Sequence, residues 1–189
     1  MRLKYNAPVI LTYTLICTVV LILQNFTGLD IMNYFTIFPV VDFSNPAWYF
    51  RLFSHVIGHG DWGHLAGNFS FILLLGPILE EKYGSRDLLL MGLVTALVTG
   101  ILQIAFFDNP LLGASGIVFM LILLSSFTNS GGGIPLTFVL VVVLFLGKEV
   151  QDAFASDNIS QFTHIIGGIL GGLFGFFLEG GQKKEGGTT

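Results

Sequence analysis

The sequence predicts an all-α membrane protein that crosses the bilayer several times. Of its 189 residues, 53% are hydrophobic and only 11% are charged, whereas about a quarter of the residues of a soluble domain are charged. The mean hydropathy is +0.79, and the 24 glycines agree with the high glycine content of membrane helices. The formal net charge of −4 argues against a nucleic-acid partner. With Cys17 as its one cysteine, the chain has no intrachain disulfide.

Six apolar segments predict six membrane-spanning helices. They lie at residues 7–26, 64–82, 87–107, 113–129, 134–150 and 160–178. The first follows Arg2 and Lys4, as a signal peptide would. It is nevertheless long enough to span, no clear small-x-small cleavage site follows it, and more apolar segments come after it. We therefore expect it to belong to the helix bundle.

The segments outside these helices differ in length. A first loop at residues 27–63 is too polar to span yet rich in aromatic residues, so it is expected to lie partly in the membrane interface. Residues 1–6 are predicted to form a cytoplasmic N-terminus and residues 7–179 a six-helix domain. Residues 180–189 are predicted to form a polar, disordered cytoplasmic tail.

Lysine and arginine predict the orientation, because they are enriched in cytoplasmic loops. With the N-terminus in the cytoplasm, Arg51 and Lys148 lie on the outer side. The other six basic residues lie inside: Arg2, Lys4, Lys82, Arg86, Lys183 and Lys184. The even-numbered helices then begin at the outer face. At a rise of about 1.5 Å per residue, His64, Ser115 and His164 come within roughly the outer third of the bilayer.

Ser115 and His164 are the candidate catalytic pair. Polar side chains are costly in hydrocarbon, and chemistry between the two is a reason to keep them there. Serine becomes a good nucleophile when a base accepts its proton, and histidine is the usual base. No Asp or Glu is expected to face inward at this depth, so a dyad is predicted. Gly167 and Gly171 give the sixth helix a small-residue face, matched by Gly116 on the fourth, and such faces let membrane helices approach closely.

Three hydrogen-bond donors predict an oxyanion site. His64 and Asn68 are four residues apart and share a helix face, and the Ser115 backbone N–H lies near a helix N-terminus. Each residue also has a plainer interpretation. An isolated serine usually bonds to its own helix, and an asparagine can simply join two helices. Catalysis is favoured because His64, Ser115 and His164, on three separate segments, are expected at one depth in the bilayer.

A metal site is an alternative interpretation of the histidines, because His55 and His59 are four residues apart and His64 follows. No carboxylate or cysteine completes that set, and the sequence lacks His-Glu-x-x-His. We expect instead that His55 and His59 hold the first loop through hydrogen bonds. No metal or other cofactor is predicted, since a Ser–His dyad needs none.

Together these residues resemble the rhomboid family of intramembrane serine proteases. The resemblance covers about residues 48–178 in the family's order. The matching motifs are Arg51 to His55, His59, His64 to Asn68, Glu80 with Gly84, Gly113 to Gly116, and His164 with Gly167 and Gly171. Two positions depart from the family's usual residues. Thr163 stands where Ala is frequent, and Lys82 where Arg is frequent.

The resemblance implies a six-transmembrane-helix rhomboid bundle whose short, central fourth helix opens to a water-filled cavity on the outer side. It implies Ser115 as nucleophile and His164 as general base. The oxyanion would be bound by His64, Asn68 and the Ser115 amide. The remaining matched polar residues would support the first loop and the helix ends: Arg51, His55, His59 and Glu80.

The implied substrates are single-pass transmembrane proteins, cut in or near the membrane segment within the lipid bilayer. A bacterial inner membrane is the implied location, and the oligomeric state is left open. Substrate entry is expected beside the fifth helix, with residues 151–159 as a lid.

Two other functions fit the sequence less well. A catalytically silent rhomboid-like protein would bind membrane helices, but such proteins lack the serine or the histidine. A small transporter would show inverted repeats or paired charges, and the sequence has neither.

Overall fold

The computed structural model describes residues 4–127, 134, 136–137, 139–144 and 158–185, and these ranges are dominated by helices. A 3₁₀ helix lies at Met32–Phe35 in the first loop. An isolated antiparallel bridge joins Ile37 to Leu111. The α-helices are α1 (Pro8–Thr27), α2 (Pro46–Ser54), α3 (Trp62–Tyr83), α4 (Ser85–Phe106), α5 (Ser115–Ser125) and α6 (Asn158–Glu185). The predicted all-α membrane fold is confirmed.

Four described helices are long and apolar enough to cross a membrane: α1, α3, α4 and the stretch Gln161–Leu178 of α6. They correspond to the first, second, third and sixth predicted spans. The fourth predicted span, residues 113–129, was too long, because α5 has only 11 residues. At about 16 Å, α5 covers about half of a 30 Å hydrocarbon core. The fifth predicted span is described only at residues 134, 136–137 and 139–144, and of these 136–137 and 139–144 are helical.

The first loop contains more regular structure than its composition predicted. Asn45 caps α2, since its side-chain oxygen accepts a 3.0 Å hydrogen bond from the Ala47 N–H. Pro46 occupies the first helical position, where its missing N–H costs nothing. Asn-Pro was therefore a readable start signal for a short helix.

The C-terminal end of α6 corrects a second expectation. The sequence predicted a disordered tail from residue 180, whereas α6 continues to Glu185. A helix already nucleated by packed residues extends at little cost, so this polar stretch continues the membrane helix.

Helix α5 lies at the centre of the bundle and packs against α3, α4 and most extensively α6. Its buried side chains include Met120, Leu121 and Leu124, each at most 1% exposed. Many large apolar side chains on the outer helices are exposed, for example Leu74 and Leu144. This distribution is that of a membrane bundle, in which lipid rather than protein covers the apolar outer surface.

Candidate active site

Helix α5 begins at Ser115 itself, directly after a tight turn. Gly113 in that turn has φ of 123°, a conformation that favours glycine. Its N–H donates a 2.9 Å hydrogen bond to the carbonyl of His55, which fixes the turn to the first loop. The first backbone N–H groups of α5 have no acceptor within the helix, and they form a favourable place for negative charge. Ser115 is half-buried at this end of the helix.

His64 and Asn68 reach this turn from α3. A Cβ atom placed on Gly113 would lie 2.7 Å from His64 Nε2 and 3.9 Å from Asn68 Nδ2. Both side chains therefore converge on the backbone two residues before Ser115. The space they fill is free only because residue 113 has no side chain.

The start of α3 fixes the His64 ring. Asp61 caps the helix, and its carboxylate accepts a 2.8 Å hydrogen bond from the His64 N–H. The Gly60 N–H points at His64 Nδ1 over 3.4 Å. A ring nitrogen that accepts cannot carry the proton, so this contact assigns the proton to Nε2. The donor of His64 then faces the turn at Gly113.

His59 and His55 are buried behind these donors, each 1% exposed. His59 Nδ1 lies 3.0 Å from the carbonyl of Ile57, and its Nε2 lies 3.1 Å from Asn68 Nδ2. His55 Nδ1 lies 3.1 Å from the carbonyl of Arg51. Burial lowers the pKa of both rings to about 4, because charging an imidazole away from water is unfavourable. Both are therefore neutral at physiological pH.

The other ring nitrogen of His55 lies 3.4 Å from the hydroxyl of Thr99 on α4. The ring nitrogens of His55 and His59 thus have protein partners. In the described part of the chain, no three His, Cys, Asp or Glu side chains form a group that could hold a metal. These contacts join the first loop to α3 and α4.

Helices α5 and α6 touch backbone to backbone. A Cβ on Gly167 would collide with the carbonyl of Gly116, and a Cβ on Gly171 would collide with the carbonyl of Met120. Thr163 packs at the same crossing, where its Cγ2 would lie 3.1 Å from a Cβ on Gly116. The interface thus has room for Thr163 on α6 but none for a side chain on Gly167.

His164 lies between Thr163 and Gly167 in sequence and is half-buried. Its ring stacks on Phe119 with 4.1 Å between centroids and 3° between planes. Phe119 is four residues after Ser115, one turn along α5, so the two share a helix face. The structure therefore places the His164 ring over α5 one turn from Ser115. Sequence reasoning missed Phe119, because its spacing from Ser115 indicates a shared helix face but not the contact with His164 across the two helices.

Arg51 and Glu80 lie away from the turn. The guanidinium of Arg51 donates to the Asn33 carbonyl at 2.8 Å and to its side-chain oxygen at 2.9 Å, which joins α2 to the 3₁₀ helix. The buried carboxylate of Glu80 accepts hydrogen bonds from the backbone of Val9 and Ile10 at 3.0 and 3.1 Å. Both residues thus connect elements of the chain that are distant in sequence.

Residues 46–180 match the rhomboid domain family. The chain belongs to the rhomboid family. The matched region runs from the start of α2 into α6 and contains His64, Asn68, Ser115 and His164, with Ser115 at the start of the short rhomboid helix α5.

Curated relatives carry protease names. Rhomboid protease GlpG of Klebsiella pneumoniae is 32% identical over 121 residues, which are 63% of this rhomboid and 43% of that protein. Rhomboid protease GluP of Bacillus subtilis is 30% identical over 132 residues, 67% of this chain and 25% of that protein. Rhomboid protease GlpG of Serratia proteamaculans is 30% identical over 175 residues, 90% of this chain and 62% of that protein. The chain therefore spans less than two thirds of each of these relatives.

Proposed function

We propose that this rhomboid is an intramembrane serine protease in which Ser115 is the nucleophile and His164 the general base. The observation that carries the proposal is the contact between α5 and α6. Gly116, next to Ser115, lies against Gly167, three residues after His164. Because helices at this distance leave no side chains between their backbones, residues flanking the contact are held within reach of each other.

The proposed reaction is an acyl transfer in two steps. His164 accepts the proton of Ser115 Oγ as that oxygen attacks the carbonyl carbon of the scissile peptide bond. The resulting oxyanion accepts hydrogen bonds from His64 Nε2–H, Asn68 Nδ2–H and the Ser115 backbone N–H. His164 then gives its proton to the leaving amine. Water, activated by the same imidazole, hydrolyses the acyl-enzyme and regenerates Ser115.

The proposed substrates are single-pass membrane proteins cut in or near their transmembrane segment. A helix keeps its carbonyls hydrogen-bonded, so the segment must unwind locally before a carbonyl can meet Ser115. Helix-breaking Gly or Pro residues near the cut lower that cost. We further propose a bacterial inner membrane, a cytoplasmic N-terminus and a site open to the outer side. The lid at residues 151–159 lies outside the described residues except for residues 158–159. It stays a prediction, as does the substrate gate beside the fifth helix.

A silent helix-binding protein is the runner-up. Cleavage of a fluorogenic transmembrane substrate in liposomes separates the two functions. We expect cleavage by the wild type, loss by at least 10³-fold in Ser115→Ala and His164→Ala, and no effect of a chelator. Ser125→Ala is the matched control, since Ser125 is at the other end of α5 and its hydroxyl donates to the Ile122 carbonyl. It is expected to cleave like the wild type.

Two outcomes decide against the proposal. Cleavage that survives Ser115→Ala excludes the proposed nucleophile. An intact protein that neither cleaves nor is labelled at Ser115 by a fluorophosphonate supports the silent binder.

A further inference from the structure

A small pocket on the first loop is separate from the catalytic turn. It encloses about 100 Å³ and is lined by polar and apolar side chains: Ile37, Phe38, Val40, Asp42, Asn45, Trp48, Arg51 and Ile104. Two of these residues carry opposite charges, Arg51 and Asp42. The described residues include no ion pair between them, so each charge is available to a ligand.

The depth of the pocket follows from α4. That helix has 22 residues and is about 33 Å long, close to the thickness of the hydrocarbon core at about 30 Å. Ile104 lies in its last turn. The pocket therefore lies where α4 leaves the hydrocarbon, at the level of the phospholipid headgroups.

Arg51 offers donors to an anion at this level. Its Nε and Nη2 donate to Asn33, and the guanidinium carbon lies 5.2 Å from the centre of the Phe38 ring. These contacts hold the planar group in place and leave the Nη1 hydrogens for a ligand. A fixed guanidinium suits the oxygens of a phosphate.

Asp42 offers an acceptor to a cation. Its Oδ1 accepts hydrogen bonds from the hydroxyl of Ser44 at 2.6 Å and from the Ser44 N–H at 3.1 Å. These bonds lower the pKa of the Asp42 carboxyl, so it is ionised at physiological pH. The backbone N–H and the side chain of Asn45 lower this pKa further.

Aromatic side chains border the Asp42 end. Trp48 donates to the Val40 carbonyl at 3.0 Å, and its ring meets Phe43 at 5.1 Å. Phe43 is 68% exposed and Val40 63% exposed. Tryptophan is enriched at membrane interfaces, and the exposed apolar groups give an acyl chain a surface to lie on.

We propose that this pocket binds the headgroup of a zwitterionic aminophospholipid, with the phosphate on Arg51 and the primary ammonium on Asp42. Charge complementarity selects this headgroup. An anionic headgroup without an amine would bring no partner to Asp42 and would be repelled by it. A quaternary ammonium has no N–H to donate to the carboxylate. The site is independent of the dyad and would seat the first loop on the membrane.

Lipid retention by the full chain tests the proposal. The protein is incorporated into vesicles of dioleoylphosphatidylethanolamine, dioleoylphosphatidylcholine and dioleoylphosphatidylglycerol in equal amounts, then extracted mildly, and the retained lipids are counted by mass spectrometry. We expect the wild type to enrich phosphatidylethanolamine several-fold over both others. Asp42→Asn should bring that enrichment close to the bulk ratio. The substituted amide can still accept from Ser44, so the loop is kept.

Asp30→Asn is the matched control, because Asp30 belongs to the same loop and does not line the pocket. It should enrich phosphatidylethanolamine like the wild type, and both variants should keep the wild-type melting temperature. The proposal is overturned if the wild type retains the three lipids in bulk proportions. It is equally overturned if Asp42→Asn, with an unchanged melting temperature, keeps the enrichment.

Discussion

His59 Nε2 lies 3.1 Å from Asn68 Nδ2. His59 Nδ1 lies 3.0 Å from the Ile57 carbonyl, which can only accept, so Nδ1 carries the ring proton. Nε2 therefore accepts a hydrogen bond from the side-chain amide of Asn68. One hydrogen of the Asn68 amide is thereby fixed on His59. The other remains for an oxyanion, in an orientation set by the buried ring. In the proposed mechanism, His59 is thus a positioning residue that acts through Asn68.

Removing His59 should therefore lower kcat without much change in KM. We expect His59→Ala to lose about 10- to 100-fold in kcat, less than the roughly 10²- to 10³-fold loss on removing an oxyanion donor outright, because Asn68 is misplaced but still present. The double variant His59→Ala with Asn68→Ala should be no slower than Asn68→Ala alone, since residues acting as a unit are not additive. Steady-state cleavage of a fluorogenic transmembrane substrate provides both constants. Fully additive losses would show that His59 acts elsewhere.

The two buried neutral histidines make the fold sensitive to acid. The pKa of His55 and His59 is about 4 in the folded protein against 6.5 for an ordinary histidine, so the unfolded chain binds more protons between these values. Stability is therefore complete above about pH 6.5 and declines as the pH falls towards 4, by about 3 kcal/mol for each histidine. Thermal unfolding in detergent from pH 8 to 4.5 measures this. A level melting temperature across that window would contradict it.

The sequence predicted the long apolar helices well because hydrophobic length alone defines a membrane span. It predicted the place of α5 but not its end. Residues 126–129 are Ser, Phe, Thr and Asn, which contain neither Gly nor Pro to mark a helix end, and where such a helix stops depends on its packing against α3 and α6. The first loop was harder still. Its α2 is set by the cap at Asn45, a local signal that a composition-based interpretation passes over.

The residues of the candidate site, too, were predictable from the sequence only in part. Sequence motifs identified Ser115, His164, His64 and Asn68 as candidates. The structure brings His64 and Asn68 together at Gly113. The stacking of Phe119 on His164 depends on how α5 crosses α6. No linear pattern contains that crossing angle, so the partner of the proposed base was found only in three dimensions.

Two neighbouring glycines of α6, Gly167 and Gly168, provide a matched pair of variants that test the contact between α5 and α6. A methyl group on Gly167 would collide with the Gly116 carbonyl, whereas one on Gly168 would meet Leu123 at an ordinary 3.5 Å. We expect Gly167→Ala to separate the two helices and abolish cleavage, since a backbone cannot yield as a side chain can. Gly168→Ala should keep most activity. Activity and melting temperature are measured together for both. Equal activity in the two variants would show that close approach of α5 and α6 is not required.

Glu80 should govern how α1 is held to the bundle. Its carboxylate accepts from Val9, Ile10 and the hydroxyl of Ser85, the last at 2.7 Å. Glu80→Gln replaces one acceptor oxygen by an NH2 group that faces donors, which leaves buried groups unpaired at a cost of about 1–3 kcal/mol. The neighbouring Glu81 is exposed, so Glu81→Gln should change stability by less than about 0.5 kcal/mol. Thermal unfolding of the pair in one detergent measures the difference. Because Glu80 is 16 residues after His64 on α3, about 24 Å along the helix, cleavage at low temperature should survive in both variants. Inactivity of folded Glu80→Gln would instead give this carboxylate a direct part in the site.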